Sequence, residues 1–203
     1  MKEQNFIIPR IPLNEAGLCA HALVEGGAQA FEINHIHQND LHAHVADPDW
    51  GTEPIELYEM ARDFLPDNHI LAKEHWQLKE VRKLLSSARV VMILDVTDCL
   101  ERVDKVLDKK VDGVDGHYVT LSKLVEINNT LYGLIIDPSK DEIVIEGNYG
   151  VINTNQENVY FIPYHILDRI WIDSKKDGSI NDHWALVMLH PEDDPLVLEE
   201  FKR

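Results

Sequence analysis

The chain has 203 residues, of which 44% are hydrophobic and 27% are charged. This length and composition are typical of one globular domain, and they exclude disordered, collagen-like and low-complexity proteins. Asp and Glu number 36 against 19 Lys and Arg, which gives a formal net charge of −17. A field of that sign repels nucleic-acid phosphates and anionic lipids, so we expect neither a nucleic acid nor a membrane as a partner.

The sequence also predicts the cellular compartment. Its N-terminus holds no apolar stretch of signal-peptide length, and no later segment approaches the roughly 18 apolar residues that a membrane span needs. Cys19 and Cys99 are the two cysteines, too few for a disulfide scaffold and suited to a reducing compartment. We therefore expect a cytoplasmic protein in which each cysteine serves either packing or chemistry. No pattern in the sequence indicates an oligomeric state.

The first predicted helix carries Cys19. Apolar residues recur at helical spacing over 16–24, and Gly26-Gly27 is expected to end the helix. Cys19 then falls in the first turn, where the helix dipole and unpaired backbone N–H groups favour a thiolate. The thiolate is the nucleophilic form of cysteine, so this residue is a candidate for chemistry once a histidine partner is found.

The remaining elements predict an α+β fold. Helices early in the chain and strands late in it are typical of this class, here as a single domain over residues 1–203 with a helical part at about 13–110 and a mainly β part at about 111–190. The predicted helices cover 55–64, 78–85 and a segment capped by Asp98 and Glu101, and the predicted strands cover 90–94, 117–127, 130–136, 143–145, 159–162 and 184–189. Residues 164–171 fit either a short helix or another strand.

One predicted hairpin brings a histidine towards a carboxylate. The apolar and β-branched segments on either side of Asn128-Asn129 are expected to pair around a turn at those two residues. In that register His117 lies across from residues near 140, and a bulge or longer loop would bring Asp137 alongside it. A carboxylate there can hold one imidazole nitrogen and fix the tautomer, as a catalytic triad requires. Cys19, His117 and Asp137 are therefore candidate catalytic residues.

Three short segments resemble a known family. They are Gly17–Ala22, Gly116–Val119 and Ile136–Pro138, and the stretch Leu84–Ile93 is similar to the helix and central strand that precede the family's histidine. The family is the bacteriocin-leader, double-glycine peptidase-like branch of the papain-like cysteine peptidases, and the similarity spans roughly residues 7–140.

The resemblance implies a papain-like cysteine peptidase fold, with N-terminal helices packed on an antiparallel β-sheet. It implies Cys19 as the nucleophile, His117 as the general base and acid, and Asp137 as the residue that orients His117. The expected activity is that of a cysteine peptidase or amide hydrolase, acting by acyl transfer on a peptide or amide substrate. No cofactor is needed for that chemistry.

The segment before Cys19 departs from the family pattern. The family usually has Gln six positions before the cysteine, where it donates to the oxyanion, and Leu13 occupies that position here. Asn14 is the candidate oxyanion donor, because its amide offers the same donor on a shorter side chain beside the backbone N–H of Cys19. Ala20 also stands where Gly often follows the cysteine. A papain-like binding module with weak or no catalysis is therefore an alternative function.

His183 competes with His117 as the partner of the cysteine. It precedes an apolar strand, as the catalytic histidine of papain-like enzymes does, although no Asn or Asp at the end of a following strand supports it. Cys99 lacks a comparable context, so we predict that it is structural.

A histidine cluster offers a second alternative function. His35-x-His37 and His42-x-His44 supply ligand types that suit zinc or another divalent metal. A polar loop rich in Asn, Gln and Asp is the simpler interpretation, so we assign no metal site. A metal-binding protein that uses this cluster remains the alternative.

Overall fold

The structure is a computed structural model that describes residues 19–37, 41, 52–97, 117–138, 150–156, 158–174 and 179–202. The helices are α1 (Cys19–Ala30), α2 (Pro54–Arg62), α3 (Leu78–Ser87), α4 (Tyr164–Ile170) and α5 (Leu196–Glu199), with a 3₁₀ turn at Asp67–His69. The strands are β1 (Ile70–Lys73), β2 (Val90–Val96), β3 (His117–Ile127), β4 (Thr130–Ile136), β5 (Ile152–Asn153), β6 (Val159–Pro163), β7 (Ile172–Ser174), β8 (Ile180–Asp182) and β9 (Ala185–Leu189).

Seven of these strands form one antiparallel sheet, in the order β1-β9-β2-β3-β4-β6-β5. β7 and β8 pair separately as a two-stranded antiparallel ribbon. The predicted α+β class is therefore confirmed, with a sheet that is antiparallel at every described pairing. The order of strands places β3 next to β2, so His117 at the start of β3 lies beside the end of β2.

An apolar layer covers each face of the sheet. Along β2, Val90, Met92 and Leu94 belong to one layer, and Val91 and Ile93 belong to the other. Helices α3 and α4 contribute to the first layer, whereas α1 and α2 contribute to the second. Because both faces of β2 are buried, its side chains are apolar in succession instead of alternating with polar ones. That run of apolar residues was sufficient to predict the strand, and the helices predicted near 55–64 and 78–85 are also confirmed.

The β3–β4 hairpin follows the predicted register. Asn128 and Asn129 both have positive φ, at 50° and 62°, the conformation that a two-residue type I′ turn requires. Ile127 pairs with Thr130 beside the turn, and the register shifts between Leu121 and Lys123. The irregularity moves the register by one residue, from Ile127 opposite Thr130 to Leu121 opposite Ile135, whereas the prediction needed a shift of a few residues to bring Asp137 alongside His117.

The expected end of α1 at Gly26-Gly27 is wrong, because the helix continues through both glycines to Ala30. A Cβ on Gly27 would lie 2.3 Å from Cε of Met188, so the glycine allows α1 to approach β9 closely. Here glycine serves packing and not helix termination. Residues 164–171, which fitted either a helix or a strand, are largely helical in α4.

Other predicted elements lie outside the described residues, among them the helix capped by Asp98 and the strand at 143–145. Within the described part of the chain, no helix is long and apolar enough to span a membrane.

Candidate active site

Packing of α1 against the sheet positions Cys19. The structure describes α1 from Cys19 onward, and Leu23 and Val24 on the same helix are fully buried in the layer that also contains Tyr118 of β3. Cys19 itself is a free thiol of intermediate exposure. The helix contacts β3 directly, so the Cys19 end of α1 meets the residues with which β3 begins.

The side chain of His117 lies between those of Cys19 and Asp137 and contacts both. It is the first residue of β3, pairs with Val96 of β2, and is only 3% exposed. Its Nε2 lies 2.7 Å from Oδ1 of Asp137, and its ring also hydrogen-bonds to the Cys19 side chain. Because Nε2 faces the carboxylate, Nδ1 is the ring nitrogen left for the sulfur. The structure thus brings together the three residues that the sequence singled out.

Asp137 is held in place by contacts with β6 and with the residue before it. It follows β4 directly and is fully buried, and its backbone N–H donates to the carbonyl of Asn158 at 2.9 Å. The hydroxyl of Tyr160 donates to Oδ2 at 2.9 Å. One carboxylate oxygen therefore faces His117 and the other accepts from Tyr160, which defines the plane of the carboxylate.

Tyr160 is a residue of the site that the sequence did not reveal. Residues 159–162 were predicted to form a strand, but its partner was not predicted, and β6 in fact pairs with β4 so that Tyr160 lies opposite Ile135. The only sequence signal is a phenol within an apolar run, since a buried tyrosine hydroxyl usually finds a polar partner.

The electrostatics of the site favour a charged histidine. Burial lowers the pKa of His117, but the charge of Asp137 and its hydrogen bond, followed by the contacts with Cys19, outweigh burial and raise the pKa well above 6.5. Burial, followed by the neighbouring Asp137 charge, raises the pKa of Tyr160 well above 10, so its hydroxyl keeps its proton and acts as a donor. The neighbouring Asp137 charge thus favours the imidazolium form of His117, and the phenol behind the carboxylate keeps its proton.

Tyr118 is a buried residue next to Cys19. Its hydroxyl donates to the carbonyl of Thr52 at 2.8 Å, and its ring meets Trp184 edge-on at 6.3 Å between centroids. Burial raises its pKa well above 10, and the nearby charges of Asp95 and Cys19 raise it further. The hydroxyl of Tyr118 is thus held by the segment that precedes α2.

The competing histidine has other partners. Nδ1 of His183 lies 2.6 Å from Asp182, its Nε2 lies 3.3 Å from Asp168, and its ring packs on Trp171. These contacts place His183 in a cluster between β8 and α4.

The metal candidates are only partly described. Nδ1 of His37 lies 3.5 Å from Oε1 of Glu25, while His42 and His44 fall outside the described residues. Among the side chains that the structure does describe, no three His, Cys, Asp or Glu residues form a group suited to a metal ion. Asn14, Leu13 and Cys99 also fall outside the described residues.

Comparison with known proteins adds no family assignment. Neither a scan against protein-family models nor a search of curated proteins found a match to this chain.

Proposed function

We propose that this protein is a cysteine-dependent peptidase or amide hydrolase with a papain-like fold. The observation that carries the proposal is the continuous series of side-chain contacts from Cys19 through His117 to Asp137. A nucleophile next to a base, with the base oriented by a third group, is the geometry that covalent acyl transfer requires. The three groups come from α1, from the start of β3 and from the end of β4, so their meeting is a property of the tertiary fold.

In the first half of the reaction, Sγ of the Cys19 thiolate attacks the carbonyl carbon of a peptide or amide. The His117 imidazolium gives its proton to the leaving nitrogen as the C–N bond breaks, leaving a thioester on Cys19 and a neutral imidazole. In the second half, His117 takes a proton from water, whose oxygen attacks the thioester. Release of the acid restores the thiolate and the imidazolium.

Asp137 holds His117 for both proton transfers. With Oδ1 at 2.7 Å from Nε2, the carboxylate fixes the ring so that Nδ1 points at the sulfur, and its charge stabilises the imidazolium. The cation beside Cys19 in turn stabilises the thiolate. Asn14, one residue after the position of the family's oxyanion Gln, and the backbone N–H of Cys19 are the proposed donors to the oxyanion.

The pH dependence of alkylation by iodoacetamide tests the paired thiolate. The modification of Cys19 and of Cys99 is read separately by peptide mass spectrometry in the wild type and in His117→Ala. We expect Cys19 to react well below about pH 8 in the wild type and to lose that advantage without His117. His183→Ala is the matched control and is expected to leave the profile unchanged. A Cys19 that titrates like a free thiol in both proteins would refute the proposal.

The two alternative functions give different outcomes. Selective alkylation of Cys19 over Cys99 would argue against a papain-like binding module without catalysis, which would also turn over no acyl substrate. A metal-binding protein would retain a divalent ion after purification without chelators, which elemental analysis detects. Loss of that ion in a His35→Ala, His37→Ala variant would assign it to the histidine cluster.

A further inference from the structure

Tyr160 lies one contact beyond the proposed triad. Its ring is fully buried in the apolar layer on the α3 and α4 face of the sheet, and its hydroxyl reaches Oδ2 of Asp137 at 2.9 Å. A phenylalanine would fill the same apolar space. The hydroxyl therefore has a role that packing does not explain, because burying it is unfavourable unless it finds a partner.

Asp137 is held at two points by one neighbouring segment, once at its backbone and once at its carboxylate. The carbonyl of Asn158 accepts from the backbone N–H of Asp137, and two residues later the Tyr160 hydroxyl donates to the side chain. The pairing of β6 with β4 fixes both points relative to β4. Rotation of the carboxylate would break the contact with Tyr160 or the contact with His117.

We infer that Tyr160 is a positioning residue that orients His117 through Asp137, which extends the arrangement to Cys19–His117–Asp137–Tyr160. The inference rests on the proposed function. Tyr160 contacts neither the sulfur nor a substrate, so its effect must pass through the carboxylate. A hydrogen bond to a charged group is among the stronger ones in proteins, and its loss lets the carboxylate and the imidazole turn together.

Tyr160→Phe tests this inference in the full chain. We expect the rate of Cys19 alkylation near neutral pH to fall by about tenfold, and the pH profile to shift upward towards that of a free thiol. The described titratable groups in or next to this series of contacts are Cys19, His117, Asp137 and Tyr160, with Tyr118 and Asp95 near Cys19. Tyr164→Phe is the matched control, because Tyr164 lies in the same apolar layer but faces Asp168.

A double-mutant cycle separates positioning from a structural effect. In an Asp137→Asn background, Tyr160→Phe is expected to change the profile no further, because its only route to His117 has been removed. Site-specific 3-fluorotyrosine at position 160 keeps the hydroxyl and is expected to retain the wild-type profile. That substitution also serves as the test if Tyr160→Phe does not fold, since an altered profile with the hydroxyl present would overturn the inference.

The outcomes distinguish this inference from the proposed function. If the wild-type Cys19 is unreactive, the proposed function fails and the role of Tyr160 fails with it. If the wild type depends on His117 but Tyr160→Phe keeps the wild-type profile, only the positioning role is wrong. A shift of the alkylation profile of Tyr160→Phe to lower pH would also contradict the inference. That direction would mean that the hydroxyl weakens the charge of Asp137 and does not orient the carboxylate.

Discussion

His117 and Asp137 both lie at the open end of one hairpin, and their side chains meet with Nε2 2.7 Å from Oδ1. His117 is the first residue of β3, and Asp137 directly follows β4. The β3–β4 ladder ends at Thr120 opposite Ile136, so both residues lie just beyond the same end of the ladder. A local element of the fold thus brings the imidazole to the carboxylate, and the packing of α1 adds the cysteine.

Removing Asp137 should destabilise the fold. Asp137→Ala leaves the imidazole of His117 buried beside an empty site, and breaking a buried charge pair costs about 3 kcal/mol or more. Urea unfolding of the two proteins measures the difference. Asp67→Ala, which breaks the exposed pair with Arg62, is the control and should cost far less. Equal costs for the two variants would contradict the buried pair.

The raised pKa of His117 predicts how stability depends on pH. The folded state binds the proton more tightly than the unfolded state, so this stabilisation is complete below about pH 6.5 and is lost as pH rises through the raised pKa. Cys19→Ser removes the titrating thiol. Between about pH 6 and 9, the free energy of unfolding of the Cys19→Ser variant should fall by about 1 kcal/mol more than that of the double variant Cys19→Ser, His117→Ala. If the unfolding free energies of the two variants, measured in urea, fall in parallel with pH, the folded protein does not raise the pKa of His117.

Asn158 should tolerate glycine better than alanine. Its φ of 63° lies in the left-handed region, and its carbonyl accepts from the backbone N–H of Asp137. Alanine is strained in this conformation, at a cost of roughly 1 kcal/mol, whereas glycine adopts it freely. Thermal unfolding of Asn158→Ala and Asn158→Gly gives the comparison. A more stable alanine variant would contradict this backbone conformation.

The contact between α1 and β9 is testable at Gly27. Alanine there gains up to about 1 kcal/mol in helix propensity but collides with Cε of Met188, 2.3 Å from the added carbon. Because Cε is the free end of a flexible side chain that can turn away, we expect Gly27→Ala to stabilise the wild type less than it stabilises a Met188→Val background, which lacks the colliding atom. The coupling is read from urea unfolding of all four proteins. Additive effects would show that the two residues do not meet.

Local signals predicted the parts of the fold that are encoded within a few residues. Asn128-Asn129 identified the hairpin because few residues adopt positive φ, and the apolar run at 90–94 identified a strand buried on both faces. Gly26-Gly27 was misread as a helix end because the same residue type also permits close packing, and the partner Met188 lies far away in the sequence. The role of a glycine depends on its tertiary neighbours.

The candidate site shows the same limit. Cys19, His117 and Asp137 were found from the spacing of the hairpin and from the resemblance of their flanking segments. Tyr160 was not, because its contact with Asp137 depends on the pairing of β6 with β4, which a turn of fixed length does not specify. Sequence reasoning thus found the residues with reactive groups but missed the residue that supports them.

Acyl-enzyme formation tests the central claim most directly. The wild type, Cys19→Ala and His117→Ala are incubated with p-nitrophenyl acetate, while p-nitrophenol release is followed and the acetylated residue is located by mass spectrometry. We predict an acetyl group on Cys19 of the wild type, release of more than one equivalent of p-nitrophenol as the thioester is hydrolysed, and loss of both in the two variants. Acetylation that spares Cys19, or turnover that persists without His117, would contradict catalysis by this pair.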